Sequence, residues 1–183
     1  KTTPGAFSTA LAGKTLALVE SSLPYEITND LETVGAYDFG GKLVDSMTAH
    51  PKICPTTGEL HFFGYGNIFT PHVTYHRADA NGELVINRPL DVKALTMMHD
   101  FALTANHVVF MDLPIVFNLD VAIKGGGDVP YRWDDDYGAR AAQAFFVGHE
   151  PPAARHDDAE HVEVVGRDVR AGDLDGGVAV TEA

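Results

Sequence analysis

Short runs of β-prone residues recur along this chain at a nearly constant spacing. Leu18, Phe62 and Val109 lie at equivalent points of three such runs, 44 and 47 residues apart. Each run is followed by a polar turn and by a further β-prone run. Repeats of roughly 40–50 residues that hold several short strands are typical of a β-propeller, in which each repeat forms one blade. The sequence therefore predicts an all-β chain of propeller blades, and an irregular all-β sandwich is the alternative.

Two turns define hairpins within the repeats. Asn81 and Gly82 separate two apolar runs, and Asn-Gly in this setting is a strong hairpin signal because both residues tolerate positive φ. A second pair of runs, 96–104 and 107–112, is joined at Asn106. Val, Phe, Thr and Leu supply the strand preference, since bulky side chains suit a half-buried pleated surface. We expect residues 15–123 to form antiparallel, four-stranded blades with almost no helix.

Composition excludes several classes of function. A length of 183 residues is enough for one domain with a core. The 26 acidic and 13 basic residues give a formal charge of −13, which argues against nucleic-acid binding and against attraction to an anionic membrane. Cys54 is the single cysteine, so a disulfide framework is excluded and a reducing, cytoplasmic location is expected. Because the first residue is Lys1 and no signal-like segment follows, we expect the chain to begin inside a larger protein.

Two histidines occupy the same place in successive repeats. His50 stands 12 residues before Phe62, and His99 stands 10 residues before Val109. We expect His99 at the buried start of a strand, where an imidazole needs a partner, most often a hydrogen bond and less often a metal. In a propeller this place in the repeat can face the central axis, and imidazoles that converge there form a natural metal cage. His50 and His99 are therefore candidate metal ligands.

The remaining histidines are weaker candidates. His72 and His76 share one face of a strand-like run, where a surface zinc pair is the alternative to an ordinary polar face. We expect His61 and His107 to occupy exposed strand positions. Three further histidines match no motif and are expected in solvent: His149, His156 and His161.

Four stretches of the chain together resemble the carotenoid cleavage oxygenases, the family that includes the stilbene-cleaving dioxygenases. Their order and spacing fit across residues 15–140, and the Ala-His-Pro-Lys and His-Asp-Phe motifs are specific in combination. The matching stretches are Leu18-Val19-Glu20 through Pro24-Tyr25-Glu26, Thr48-Ala49-His50-Pro51-Lys52 with Thr57-Gly58-Glu59-Leu60, Met97-Met98-His99-Asp100-Phe101 with Val109-Phe110, and Tyr131-Arg132-Trp133 through Gly138-Ala139-Arg140.

The resemblance implies a seven-bladed propeller with an iron(II) ion, Fe(2+), on its axis, held by four histidines that leave positions open for dioxygen. The family's first ligand matches His50 and its second matches His99. A glutamate expected behind His99 matches Glu20, and such a carboxylate fixes the tautomer of the imidazole and raises its basicity. The alternative for Glu20 is an exposed charge at a strand end.

The resemblance also implies the reaction and its partners. The family cleaves a conjugated carbon–carbon double bond of a carotenoid, apocarotenoid or stilbene with O₂ and releases carbonyl products. The resemblance is also compatible with peripheral membrane contact of the complete protein. A long apolar substrate needs an apolar tunnel. The aromatic residues that could line such a tunnel are Phe62, Phe63, Tyr65, Phe69, Phe101 and Phe117. For most of them, a place in an ordinary hydrophobic core is the alternative.

The resemblance ends after Arg140. The family's later motif, a Phe-His pair that holds the third ligand, has no match here. We therefore divide the chain into a partial propeller, 1–148, and an acidic tail, 149–183, which is expected to be solvated or disordered, with Val162–Val165 as one edge strand. With two of four histidines matched, we expect an incomplete fragment with weak or no activity. A propeller-derived binding module without a metal is the alternative.

Overall fold

The protein is an array of short antiparallel sheets. The computed structural model describes residues 7–20, 22–65, 68–69, 71–104, 107–124, 129–145 and 167–169. Within these ranges, three four-stranded sheets and one two-stranded sheet hold all the strands, and six residues form a helix. The prediction of an all-β chain with four-stranded antiparallel blades and little helix is confirmed.

The first blade is a simple meander near the start of the chain. Its strands lie side by side in chain order, and each pairs antiparallel with the next. Leu18, the first of the three equivalent points, lies in the second strand. The strands are β1 (Phe7–Leu11), β2 (Lys14–Leu18), β3 (Tyr25–Ile27) and β4 (Thr33–Ala36).

The middle blade repeats this topology. Its strands are β5 (Lys52–Ile53), β6 (Leu60–Tyr65), β7 (Val73–Ala78) and β8 (Leu84–Pro89). The turn between β7 and β8 is held by the Asp79 carboxylate, whose Oδ1 accepts the N–H groups of Asn81 and Glu83 at 3.0 and 2.8 Å. Gly82 supplies the positive φ of 86° that this turn requires. The Asn-Gly hairpin is therefore confirmed.

The third blade draws its strands from separated parts of the chain. Its order is β9 (Phe101–Leu103), β10 (His107–Asp112), β13 (Ala139–Phe145) and β14 (Arg167–Val169). The hairpin of β9 and β10 agrees with the predicted pair of runs around Asn106.

Between β10 and β13 the chain departs from the repeat. If the repeat continued, the β-prone run after β10 would pair with β10 as the next strand of the same sheet. Instead β11 (Ile115–Phe117) pairs with β12 (Tyr131–Trp133) in a separate sheet, and α1 (Leu119–Lys124) lies between them. Pro114 precedes β11 and has no N–H to donate. The other edge of β11 bonds to the segment before His99, through Met97 N–H to the Ile115 carbonyl at 2.8 Å. No helix in the described ranges has the length and apolarity needed to cross a membrane.

Two hydrophobic clusters fill the spaces between neighbouring blades. Phe62 points to the cluster shared with the first blade, which also holds Leu16, Leu18 and Met47. Phe63, the next residue, points to the cluster shared with the third blade, which holds Phe101, Val108 and Phe110. Successive side chains of a strand face opposite sides of the sheet, so β6 contributes to both clusters and all six of its residues are buried.

The double-sided packing overturns the expectation that His61 is exposed. His61 is fully buried, and its Nδ1 lies 2.7 Å from the Tyr75 hydroxyl. The alternation of polar and apolar residues along a strand predicts one solvated face, but neither face of this strand meets water. Burial lowers the pKa of His61 to about 4.

The acidic tail lies almost entirely outside the described residues. Its described part is Arg167–Val169, which forms the strand next to β13. The boundary at 148, the solvated character of 149–183 and the edge strand at Val162–Val165 stay predictions.

Candidate metal centre

Each of the three blades contributes one side chain to a common point. Glu20 follows β2 of the first blade, His50 stands two residues before β5, and His99 stands two residues before β9. Ligand atoms of these three residues lie within 4.8 Å of one another, and they form the one such group of histidine, cysteine, aspartate and glutamate side chains in the described ranges. Residues far apart in sequence thus meet because the blades stand next to each other.

The two imidazoles face each other through the same ring nitrogen. His50 Nε2 and His99 Nε2 are 3.0 Å apart, and the rings meet at 63°. The expectation of a buried His99 is wrong, since its side chain is 58% exposed. His99 precedes the strand β9 and lies at the rim of the site, whereas Met98 and Phe101 on either side of it are buried in the core.

Glu20 lies behind this pair. Its Oε1 accepts the Ala49 N–H at 3.0 Å and lies 3.8 Å from Nδ1 of His99. One oxygen atom therefore faces both histidine-bearing segments, through a backbone amide on one side and a ring nitrogen on the other. Tyr65 is close to the same carboxylate, and burial together with the Glu20 charge raises the pKa of its phenol.

The residues present fit a divalent metal ion. Imidazole nitrogens bind such ions at about 2.1 Å, so two of them at right angles around one ion are about 3 Å apart, which is the separation of the two Nε2 atoms. The Nδ1 atom of His99 faces a carboxylate, which is the usual partner of the non-ligating nitrogen of a metal-binding histidine. The ligand roles of His50 and His99 and the supporting role of Glu20 stay predictions.

The segment that carries His50 is tied to two blades. Met47 N–H donates to the Ser22 carbonyl of the first blade at 2.9 Å, and Thr48 N–H donates to the Phe63 carbonyl of β6 at 2.7 Å. Gly64 permits this approach, because a Cβ there would lie 2.3 Å from the Ser46 carbonyl oxygen. The backbone before His50 therefore runs along β6 as an inner extension of the middle blade.

The segment that carries His99 is tied to a buried carboxylate. Asp112 is fully buried. It accepts hydrogen bonds from the Thr96 hydroxyl at 3.3 Å and from the Tyr137 hydroxyl at 2.8 Å. Two nitrogens of Arg140 also donate to it, at 3.1 and 2.7 Å. Burial and the Asp112 charge raise the pKa of Tyr137 to about 12. This network fixes Thr96, three residues before His99.

An ion pair next to the histidines was not anticipated from the sequence. Lys52 Nζ lies 2.8 Å from Asp100 Oδ1, which joins the residue after His99 to the second residue after His50. Burial alone would raise the pKa of Asp100, but the Lys52 ammonium and the Phe101 N–H hold it below its ordinary value. Both residues belong to the matched motifs, but nothing in their spacing indicates that they meet.

The aromatic tunnel candidates fall into three environments. Four are buried in the two core clusters: Phe62, Phe63, Tyr65 and Phe101. Phe117 is half-buried against Tyr131 of β12, with ring centroids 5.5 Å apart. Phe69 is 80% exposed. Burial in the core agrees with the alternative role stated for most of them, and a tunnel role stays a prediction.

The other histidines do not join this site. His76 is buried in β7 and stacks on Phe62 with ring centroids 4.9 Å apart, so the idea of a surface zinc pair with His72 is wrong. His107 is half-buried at the start of β10. The weak ligand candidates His149, His156 and His161 lie outside the described residues.

Comparison with known proteins identifies relatives of this arrangement. The chain is 42% identical over 118 residues to a carotenoid 9,10(9',10')-cleavage dioxygenase from Crocus sativus, covering 62% of this chain and 21% of that protein. It is 38% identical over 123 residues to a 9-cis-epoxycarotenoid dioxygenase from Arabidopsis thaliana named as chloroplastic, covering 65% and 21%. The chain thus spans about a fifth of the length of these curated relatives.

Solved structures give the same result. The crystal structure of the lignostilbene dioxygenase of Pseudomonas brassicacearum superimposes with a TM-score of 0.69 at 30% identity, covering 78% of this chain and 30% of that one.

The family described as RPE65, retinal pigment epithelial membrane protein, matches residues 2–142. The chain therefore belongs to the RPE65 family, the carotenoid cleavage oxygenases that its motifs resemble.

Proposed function

We propose that this chain forms part of an iron(II)-dependent dioxygenase that cleaves a conjugated carbon–carbon double bond of a carotenoid, apocarotenoid or stilbene. The observation that carries the proposal is the convergence of His50 and His99 through Nε2 at 3.0 Å, with Glu20 behind His99. Relatives named as carotenoid and lignostilbene dioxygenases support the reaction class. The substrate, O₂ and iron are proposed for the whole protein.

His50 and His99 would hold the iron through their Nε2 atoms. Bound iron would supply a redox-active centre for O₂, and neutral nitrogen ligands suit that role. Glu20 would keep the proton of His99 on Nδ1, so that the Nε2 lone pair stays available to the metal. Because both oxygen atoms of O₂ enter the two carbonyl products, the overall reaction needs no external reductant and no net proton transfer.

Metal binding is the first test of this proposal. Anaerobic loading of residues 1–183 with Fe(II), followed by metal analysis, should give bound iron in the wild type. His50→Ala and His99→Ala should lose most of it, because a site with few ligands has none to spare. His107→Ala is the matched control, since that histidine lies on β10 away from the site. A wild type that retains no iron would favour the binding module without a metal, and equal bound iron in all variants would contradict the assignment of His50 and His99 as ligands.

Turnover is the second test. We expect weak cleavage by this chain, because two imidazoles alone leave most coordination positions to water. The assay adds O₂ and an apocarotenoid or a hydroxystilbene to the iron-loaded chain and measures aldehyde products. A rate equal to that of a full-length family member would contradict this expectation. Replacing His149, His156 and His161 one at a time would then identify further ligands.

We also propose peripheral membrane contact for the complete protein and retain a cytoplasmic location as a prediction. Leu119 and Ile123 of α1 expose their apolar side chains, which supports contact with a lipid surface. Flotation with zwitterionic liposomes, compared between the wild type and Leu119→Ser/Ile123→Ser, tests the contact. Equal flotation of both would count against it.

A further inference from the structure

A buried hydroxyl lies between the backbones of the two candidate ligands. Thr48 is fully buried, and its Oγ1 accepts the His50 N–H at 3.2 Å. The same hydroxyl donates to the His99 carbonyl oxygen over 3.5 Å, a long hydrogen bond. Thr48 is itself held in place, since its N–H donates to the Phe63 carbonyl of β6 at 2.7 Å. Thr48 therefore binds β6 of the middle blade through its backbone N–H and the backbones of His50 and His99 through its hydroxyl.

The chemistry of a hydroxyl suits this connection. A threonine has one O–H to donate and two lone pairs to accept, so one atom can serve a backbone N–H and a backbone carbonyl at once. A buried hydroxyl needs such partners because leaving it unsatisfied is costly. Contact with the amide two residues later is a common local habit of threonine, whereas contact with the carbonyl of His99, 51 residues away, is specific to this fold.

We infer that Thr48 is a positioning residue for the metal centre, an inference that rests on the proposed function. Thr48 acts on the backbones of His50 and His99, whereas Glu20 acts on the Ala49 amide and on the His99 ring. Two separate bridges thus set the distance between the imidazoles. Valine has nearly the volume of threonine but can neither accept the His50 N–H nor donate to the His99 carbonyl, so it removes one bridge with little change in packing.

Cobalt(II) binding tests the inference, with cobalt as an air-stable stand-in for iron. The measurements are calorimetric titration and the visible absorption of the bound ion. Thr48→Val should weaken cobalt binding about tenfold, the lower end of the usual cost of losing a group that orients a ligand. Thr48→Ser keeps the hydroxyl and should bind nearly as well as the wild type. Ser46→Ala is the matched control, because it removes a buried hydroxyl of the same segment that bonds to Tyr65 and to neither histidine.

A second readout needs no metal. Thr48 protects the His50 amide, so hydrogen exchange of that amide, measured by NMR on the metal-free chain, should accelerate in Thr48→Val and not in Thr48→Ser or Ser46→Ala. Circular dichroism checks the fold of each variant. If Thr48→Val does not fold, Thr48→Ala removes the same hydroxyl and takes its place in both measurements.

The outcomes separate the two claims. Loss of cobalt affinity and of His50 protection in Thr48→Val alone supports the inference. Wild-type affinity in Thr48→Val, or an equal loss in Ser46→Ala, overturns it while the proposed metal site stands. A wild type that binds no cobalt, or His50→Ala and His99→Ala variants that bind it unchanged, overturns the proposed site and the inference together.

Discussion

The middle blade and the first blade share their topology but differ in how deeply they are buried. All six residues of β6 in the middle blade are buried, as are five of the six in β7. In the first blade, neither β3, the counterpart of β7, nor the outer strand β4 has a buried residue, and Val34 in β4 is 60% exposed. Both sheets consist of four antiparallel strands in chain order. The burial of a blade is therefore determined by its neighbours and not by its own strands.

The position of the middle blade between two other blades also determines where the candidate site lies. The middle blade has a blade on each side, and Glu20, His50 and His99 come from the three blades in succession. In repeat architectures each unit is stabilised mainly by its interfaces with the adjacent units. The middle blade should therefore dominate both the stability of the chain and the geometry of the site.

The largest expected effect is the loss of a central aromatic ring. Phe63→Ala should lower the free energy of unfolding by about 3–5 kcal/mol, because it leaves a cavity among packed rings; the centroids of Phe101 and Phe110 are 5.5 and 5.8 Å away. Val34→Ala in the first blade should cost less than about 0.5 kcal/mol. Urea denaturation measures both, and equal losses would show that the two blades do not differ.

The second effect is sensitivity to acid in the middle blade. Burial lowers the pKa of His61 and of His76 to about 4, and neither ring nitrogen of His76 has a hydrogen-bond partner among the described residues. The unfolded chain takes up these protons near pH 6.5, so the contribution of the two histidines to the free energy of unfolding should be fully present above that pH. It should fall as the pH decreases to about 4, by up to about 3 kcal/mol for each histidine.

His76→Leu isolates one of these contributions. The variant should lose less stability than the wild type between pH 6.5 and pH 4, by up to about 3 kcal/mol. The first blade, residues 7–36, contains no histidine, so it should contribute nothing to this histidine-dependent loss of stability. Denaturation midpoints measured across this pH range test the effect, and parallel curves for the two proteins would contradict it.

A smaller effect is expected where the middle blade meets the His50 segment. Gly64→Ala places a Cβ 2.3 Å from the Ser46 carbonyl oxygen, so the backbone of one segment must shift. Overpacking of this kind costs about 1–3 kcal/mol. Because the shift moves the residues before His50, cobalt affinity should fall with stability. A variant that loses stability but keeps full cobalt affinity would separate the packing of the blade from the geometry of the site.

The smallest effect concerns two ion pairs that join neighbouring blades. Lys52 bonds to Asp100 at 2.8 Å beside the site, and Lys42 bonds to Glu83 at 3.0 Å on a more exposed surface. Lys52→Met should cost at most about 1 kcal/mol and less at high salt, and Lys42→Met should cost nearly nothing. Thermal unfolding at low and high salt compares them. A larger loss for Lys42→Met would reverse the ranking.

Local patterns were sufficient to predict the strands but not their surroundings. The equivalent points Leu18, Phe62 and Val109 each lie in the second strand of a sheet, and the turn at Gly82 formed as expected. The burial of His61 cannot be predicted from the sequence, because alternation along a strand does not reveal that both faces are covered. The pairing of β11 with β12 cannot be predicted either, because partner choice depends on the tertiary arrangement.

The candidate site divides in the same way. His50, His99 and Glu20 were found from motifs, because their residue types and order are local properties of the sequence. The contact of Thr48 with the His50 amide follows a known local habit. Its contact with the His99 carbonyl and the pair of Lys52 with Asp100 span 51 and 48 residues. Such contacts depend on how whole sheets dock, which no short pattern records.

The distance of 49 residues between His50 and His99 has a consequence for the order of folding events. Hairpins such as β7–β8 close short loops and form early, whereas contacts between distant residues form late because their loop-closure entropy comes first. The imidazole pair should therefore assemble after the individual blades, and the ion should bind a chain that is already collapsed. In a stopped-flow refolding experiment, the cobalt absorption should appear after the far-ultraviolet dichroism has developed, which would make the bound ion a reporter of the final docking step.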